Sequence, residues 1–284
     1  MNEQLELNEY KQQIADLYSR RGQTYDQGDW HPRIAHRLIE HAQISQGQHV
    51  LDIATGTGMV AIEAAQLVGF AGRVVGVDIS TGMLEQGKRK IEALGLNNIE
   101  LVLADAEKLN FPANSFDVVL CSSALIWMAD IPNTLRFWHQ LLKPGGLIGF
   151  HAFADTAFVG GVTVQKVAEK YGVSLALSKP TGTIEKCHDL LKTAGFEAIE
   201  IKSEQDGSYI TLDSLEQAKL MCFGGSHPVP GQFPNPMKQL SSGQLEEVKA
   251  EFEAELAALV TEQGIWNDVT IFYTFGRKPI SRSA

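Results

Sequence analysis

One stretch of the chain, residues 50–61, constrains the fold more than any other. It reads Val-Leu-Asp-Ile-Ala-Thr-Gly-Thr-Gly-Met-Val-Ala. The first four residues form an apolar run that contains one acid, which is typical of a buried parallel strand. Gly56 and Gly58 allow a turn with positive φ, where the backbone can approach a ligand closely. Apolar residues recur at helical spacing from Met59 onward. The stretch therefore predicts the strand, glycine turn and helix of a ligand-binding edge in an open α/β sheet.

The glycine turn by itself is compatible with two classes of nucleotide ligand. Gly56, Gly58 and Ala61 satisfy the dinucleotide pattern G-x-G-x-x-G/A. Asp78 follows the apolar run 74–77 and lies 20 residues beyond Gly58, where a carboxylate can bind ribose hydroxyls. This arrangement suits NAD and S-adenosylmethionine equally, so the turn leaves an oxidoreductase and a transferase both open.

Further motifs lie within or beside the five predicted strands: at or after the ends of the first three, at the start of the fourth and before the fifth. They are Asp52 in the first strand, Asp78, Asp105-Ala106, Phe116-Asp-Val-Val119 and Leu141-Leu-Lys-Pro-Gly-Gly146. In this series the chain resembles the class I S-adenosylmethionine-dependent methyltransferases, and most closely their ubiquinone/menaquinone-methyltransferase-like small-molecule group. The ending, residues 269–278, is similar to the family's last, antiparallel strand. The resemblance covers about residues 45–155, 185–203 and 268–278.

The resemblance implies an α/β fold with a Rossmann-like, seven-stranded, mostly parallel sheet, an antiparallel last strand and helices on both faces. It implies one methyltransferase domain over residues 1–284, with its core in 46–206 and 267–280. Helical apolar spacing predicts helices in residues 1–45, and the resemblance implies that these helices cover the cofactor. Residues 207–266 stand where a short hairpin would suffice. These residues contain helix-like stretches at 213–222 and 243–260 and predict an inserted lid. The alternatives are an oligomer interface or a packed structural element with no functional role.

The cofactor that the resemblance implies is S-adenosylmethionine, with S-adenosylhomocysteine as its product. By analogy Asp78 binds the ribose, Met83 packs on the adenine, and the Asp105 side chain, unless it only caps a helix, and the Ala106 amide bind the edge of the ring. Ala54 replaces the first glycine that many members carry, which costs little if its φ is negative. The residues predicted to bind the cofactor are Tyr18, Tyr25, Asp52, Ala54, Thr55, Gly56, Gly58, Asp78, Ile79, Met83, Asp105, Ala106 and Ser122.

The acceptor side is predicted with less detail. Trp127 and Phe153 are the candidate substrate residues, although a buried tryptophan is more often part of a core. The candidate bases are His151, His227 and His31, in that order, and each could instead be structural. The expected reaction is O-, N- or C-methylation of a small molecule in specialised metabolism. A quinone C-methyltransferase is the alternative, although residues 122–127 lack the Gly-Leu-Arg-Asn run of those enzymes. A non-catalytic cofactor-binding partner protein is a second alternative, and an NAD-dependent oxidoreductase is a distant one.

Composition narrows the partners and the compartment. The formal net charge of −10 argues against a nucleic-acid partner. The three cysteines, Cys121, Cys187 and Cys222, are far apart and contain no C-x-x-C, which predicts neither a disulfide frame nor a metal site. No signal peptide or membrane-length apolar run is visible. We therefore expect a cytoplasmic protein, monomeric or homodimeric, that binds no membrane.

Overall fold

The computed structural model describes residues 5–211, 223 and 228–280, and a seven-stranded sheet is its central element. The strand order is β3-β2-β1-β4-β5-β9-β6, and β7 and β8 form a separate two-stranded sheet. The strands are β1 (His49–Ile53), β2 (Arg73–Asp78), β3 (Ile99–Leu103), β4 (Phe116–Cys121), β5 (Leu142–Phe153), β6 (Glu197–Gln205), β7 (Ser208–Ile210), β8 (Ile265–Asn267) and β9 (Thr270–Arg277).

Strand directions confirm the predicted fold class. The pairs β2–β3, β1–β2, β1–β4 and β4–β5 are all parallel. The last strand runs the other way, because the Gly145 amide at the start of β5 donates to Lys278 just after β9, whereas the Ala154 amide just after β5 donates to Thr270 at the start of β9. Strand order reverses between β1 and β4, which creates the switch point where ligands bind in such sheets.

Several helices begin where the sequence supplies capping groups. The Ser80 side chain accepts from the Met83 amide at the start of α4, and the Asp130 side chain does the same for Asn133 at α5. Ser241 and Gln244 form a capping box at α8. The helices are α1 (Glu9–Arg21), α2 (Trp30–Ala42), α3 (Met59–Val68), α4 (Thr81–Leu94), α5 (Ile131–Leu141), α6 (Val159–Lys170), α7 (Ile184–Thr193) and α8 (Ser242–Ala258).

The chain divides into two compact units. The first comprises Met1–His151, Cys187–Lys202 and Tyr273–Ala284, and the second comprises Ala152–Lys186 and Ser203–Phe272. The second unit has its own buried apolar cluster, in which Val164 and Val167 of α6 join Val248 and Phe252 of α8. Ion pairs between Lys166 and Glu255 and between Lys170 and Glu251 flank these two helices. A single domain with a lid over 207–266 stays a prediction.

Part of the predicted insertion is not described. The helix expected at 213–222 and His227 both lie outside the described residues. The amphipathic helix expected at 243–260 is α8, which has Val248, Phe252 and Leu256 buried. Among the described residues, no helix combines the length and apolar character that crossing a membrane requires.

Candidate active site

A cavity in the first unit brings together nearly all the residues predicted to bind the cofactor. It lies at the carboxyl ends of β1, β2 and β4, with α1 and the start of α2 also contributing to its wall. Gly58 is the predicted residue that does not line it. Twelve of the thirteen predicted residues do, namely Tyr18, Tyr25, Asp52, Ala54, Thr55, Gly56, Asp78, Ile79, Met83, Asp105, Ala106 and Ser122. That these residues bind the cofactor remains a prediction.

The turn between β1 and α3 alternates left-handed residues. Ala54, Gly56 and Gly58 have φ of 51°, 58° and 83°. Ala54 was expected to cost little on the condition that its φ is negative. That condition is not met, because the path of the turn requires the left-handed region at this position. Such a conformation costs a residue with a Cβ roughly 1–2 kcal/mol. The bond from the Thr55 amide to the carbonyl of Val77 (2.9 Å) holds the turn against β2.

Two buried acids, Asp52 and Asp78, lie side by side at this edge of the sheet. The Thr55 hydroxyl donates to Asp52 at 2.6 Å, and the amides of Gly56 and Ser80 each donate to Asp78 at 2.8 Å. Burial raises the pKa of Asp52 to about 7 and that of Asp78 to about 6. Both acids therefore favour a ligand that brings hydroxyl donors or positive charge.

Lys11 is a cavity residue that the sequence reasoning missed. Its Nζ lies 2.8 and 2.6 Å from the two carboxylate oxygens of Asp105 and 2.5 Å from a carboxylate oxygen of Glu107. Lys11 is only 8% exposed. A signal was available, because Lys11 precedes Ile14 by three residues and Ala15 by four, which is the spacing of one face of α1.

Four aromatic rings also line the cavity, and together they are called its aromatic side. Tyr18 lies edge-on to both Tyr25 and Trp127, with ring centroids 6.1 Å apart in each case. His31 packs on Tyr25 at 4.2 Å and lines the cavity. Burial lowers the pKa of His31, and the positive charge of Arg21 lowers it further. His31 is therefore a neutral imidazole at pH 7, which is able to accept a proton.

The first-ranked base candidate, His151, lies behind the cavity wall. It is 3% exposed, and its Nε2 accepts a hydrogen bond from the Ser123 amide at 2.6 Å. Burial lowers the pKa of His151 to about 3. Ser123 lines the cavity and has a φ of 59°, so His151 holds a strained cavity residue. The other substrate candidate, Phe153, lies in the second unit, where its ring packs on Phe158 at 4.8 Å.

A parallel sheet with a glycine turn after β1 and a buried acid at the end of β2 defines an α/β protein that binds a nucleoside-containing cofactor. Comparison with known proteins resolves which kind. Residues 50–146 match the methyltransferase domain family. The chain belongs to the class I S-adenosylmethionine-dependent methyltransferases, and its cofactor is S-adenosylmethionine.

Two curated relatives and one solved structure illustrate the similarity. Aklanonic acid methyltransferase DauC from Streptomyces sp. (strain C5) is 36% identical over 143 residues, which are 50% of this chain and 65% of DauC. The ubiquinone/menaquinone biosynthesis C-methyltransferase UbiE from Haemophilus ducreyi is 33% identical over 179 residues, covering 57% of this chain and 69% of UbiE. The [4+2]-cyclase SpnF has the same fold, with a TM-score of 0.59, 17% identity, and coverage of 98% of this chain and 99% of SpnF.

The donor set of the cavity fits this cofactor. Asp52, Asp78, Asp105 and Glu107 line it, together with the ammonium of Lys11. Carboxylates of this kind can bind the sugar hydroxyls and the positive charge of an adenosyl sulfonium. Met83, 2% exposed, also lines the cavity and adds an apolar surface.

Proposed function

We propose that this protein transfers a methyl group from S-adenosylmethionine to a small-molecule acceptor. One observation carries the proposal: a single cavity joins the acids at the ends of β1 and β2 to the aromatic group of Tyr18, Tyr25, Trp127 and His31. The acidic side suits a cationic nucleoside, and the aromatic side suits an apolar acceptor. Family membership supports the first half of this assignment.

In the proposed complex the acidic side holds the cofactor. Asp78 accepts from the ribose hydroxyls through charge-assisted bonds worth about 1.5–3 kcal/mol each. Its two existing bonds, from the amides of Gly56 and Ser80, fix the carboxylate before the ligand arrives. Met83 provides an apolar surface for the adenine, and the amide of Ala106 provides a donor at its edge.

The aromatic side holds the acceptor and excludes water. The cofactor supplies a methyl group made electrophilic by its sulfonium. Tyr18, Tyr25 and Trp127 line the cavity, and they restrict the acceptor to the orientations that direct transfer needs. His31 accepts the proton of an acceptor hydroxyl or amine because its imidazole is neutral at pH 7. His151 acts through Ser123 as a positioning residue.

The acceptor belongs to one of two chemical classes represented among the relatives. DauC is an aklanonic acid methyltransferase, and UbiE is a ubiquinone/menaquinone biosynthesis C-methyltransferase. Because residues 122–127 lack the Gly-Leu-Arg-Asn run of the quinone enzymes, we favour a specialised metabolite over a quinol. A phenol or quinol hydroxyl would give His31 a proton to remove, whereas a carboxylic acid is already ionised at pH 7 and needs no base.

Calorimetry and a radiolabelled-methyl assay test the proposal. Asp78→Asn removes the charge and one carboxylate oxygen, so we expect S-adenosylhomocysteine to bind at least about tenfold more weakly, the equivalent of one charge-assisted bond. Asp189→Asn, at an exposed acid of α7, is the matched control and should bind normally. Unchanged binding by Asp78→Asn would remove this acid from the site, and binding of NADH in place of S-adenosylhomocysteine would refute the assignment.

A panel of phenolic, carboxylic and quinol acceptors then identifies the methylated class. Tight binding of S-adenosylhomocysteine without transfer to any acceptor would favour a non-catalytic partner protein.

We further propose that the protein acts in the cytoplasm as a monomer or homodimer, without a nucleic-acid or membrane partner. Light scattering after size-exclusion chromatography tests the assembly state.

A further inference from the structure

The N-terminal helix α1 is tied to the cavity by a buried ion cluster. We propose that Lys11 is a positioning residue that latches α1 across the cofactor cavity, so that its ion pairs must open before the cofactor can enter or leave. This proposal rests on the proposed function, because it concerns access to the same cavity. It assigns to Lys11 control of the rate of ligand exchange.

The geometry of the cluster carries the first step. The ammonium of Lys11 contacts both oxygens of Asp105 and one oxygen of Glu107, and the side chains of Lys11 and Asp105 are 10% and 6% exposed. Glu107 is fixed from the other side, because the amides of Ala129 and Asp130 donate to it at 3.2 and 3.1 Å. Lys11 therefore joins helix α1 to a fixed point of the cavity wall.

A second contact holds the other end of α1. A Cβ added to Gly82 would lie 2.6 Å from the carbonyl oxygen of Ser19, and one added to Gly22 would lie 2.7 Å from the carbonyl oxygen of Gly82. The backbones of α1 and the start of α4 therefore touch directly. Between these two attachments, α1 presents Ile14 and Tyr18 to the cavity. Helix α1 thus forms a wall of the cavity that is held at both ends.

The charges of the cluster explain why the latch stays closed. Without Lys11, Asp105 would keep a hydrogen bond from the Glu107 amide (3.0 Å), but its carboxylate would lie near that of Glu107 with no cation between them. Like charges in a buried site repel strongly. Lifting α1 also exposes the side chains that line the cavity. Closure is therefore the stable state of the ligand-free protein, and opening limits ligand entry.

Lys11→Met removes the ammonium and keeps the length of the side chain. We expect amide hydrogen exchange in residues 9–21 of the ligand-free variant to be at least tenfold faster. We also expect S-adenosylhomocysteine to associate and dissociate at least tenfold faster. Stopped-flow tryptophan fluorescence, to which Trp127 in the cavity contributes, measures both rates. Faster association distinguishes a latch from a residue that only stabilises the complex, since loss of the latter would raise the dissociation rate alone.

Lys88→Met, at an exposed lysine of α4, makes the same chemical change outside the cluster and should leave all three rates unchanged. Gly82→Ala is a second route to the open state, because its Cβ collides with Ser19 and leaves the ion cluster intact. It should also accelerate exchange in α1. Unchanged exchange in both variants, or association no faster than in the wild type, overturns the latch. Failure to bind S-adenosylhomocysteine would refute the proposed function, whereas exchange in the ligand-free protein still tests the latch.

Discussion

Asp52→Asn tests whether the cavity acids lower the stability of the ligand-free protein. Burial raises the pKa of Asp52 from 3.8 to about 7. Between these values the folded chain keeps a proton that the unfolded chain has lost, so stability falls as the pH rises. At about 1.36 kcal/mol per unit, a rise of about three units costs the folded state roughly 4 kcal/mol at pH 8. Asparagine cannot ionise, and its oxygen can still accept from the Thr55 hydroxyl.

The variant should therefore be more stable than the wild type at pH 8, by about 2–4 kcal/mol. At pH 5 most folded molecules already carry the Asp52 proton, and the gain should be smaller by about 2–3 kcal/mol. Chemical unfolding followed by circular dichroism at pH 5, 6, 7 and 8 measures both quantities. The pH dependence is the informative readout, because a change in packing alone would shift stability equally at every pH.

Asp117→Asn supplies a control with the opposite sign. Burial alone would raise the pKa of Asp117, but the His49 amide and the Lys143 ammonium outweigh it and lower the pKa. Its charged form is therefore stabilising above the unfolded pKa, and Asp117→Asn should lose stability at pH 8. If Asp52→Asn is less stable than the wild type at pH 8, or its gain is the same from pH 5 to 8, the reasoning about burial fails.

Two further predictions concern the aromatic side and the glycine turn. His31→Phe should lower kcat by at least about a hundredfold and remove the acidic limb of the pH profile. In the wild type this limb should lie below pH 6.5, because the pKa of His31 is lowered. His36→Phe, at an exposed histidine, is the control, and equal kcat values for His31→Phe and the wild type would exclude His31 as the base. Ala54→Gly should raise the free energy of unfolding by about 0.5–1 kcal/mol, since relief of a left-handed φ outweighs the added freedom of the unfolded chain. The control Ala61→Gly, within α3, should instead lower the free energy of unfolding by about 1 kcal/mol. A loss of stability in Ala54→Gly would contradict the backbone strain inferred at Ala54.

The elements that could be predicted from the sequence are those whose causes are local. An apolar run, two glycines and helical spacing follow one another within residues 50–61, so β1, the turn and the start of α3 were predicted together. Asp78 ends β2 as expected, because a strand buried on both faces has a recognisable composition. The carboxyl ends of β1 and β2 meet at one edge of the sheet, which brought nearly all the predicted cofactor residues into one cavity.

The features that could not be predicted depend on contacts between distant parts of the chain. The spacing of Lys11 and Ile14 indicates the buried face of α1, but it cannot identify the partner of Lys11, because Asp105 is 94 residues away. The sequence placed His31 last among the candidate bases, because nothing local indicates that α2 begins beside Tyr25. Likewise, Ala54 has a positive φ because of the path that the whole turn must follow. The grouping of residues 152–186 with 203–272 also arises from packing across long separations.

The charges of the cavity connect its stability to its ligand. Four carboxylates, those of Asp52, Asp78, Asp105 and Glu107, line it with the single ammonium of Lys11 among the described residues. A sulfonium adds a positive charge that the thioether product lacks, and burial strengthens its attraction to the acids. The same acids that destabilise the ligand-free protein at pH 8 should therefore bind the methyl donor more tightly than the product. Because a bound cation lowers the pKa of Asp52 and Asp78, donor binding should release protons near pH 6–7, and product binding should release fewer.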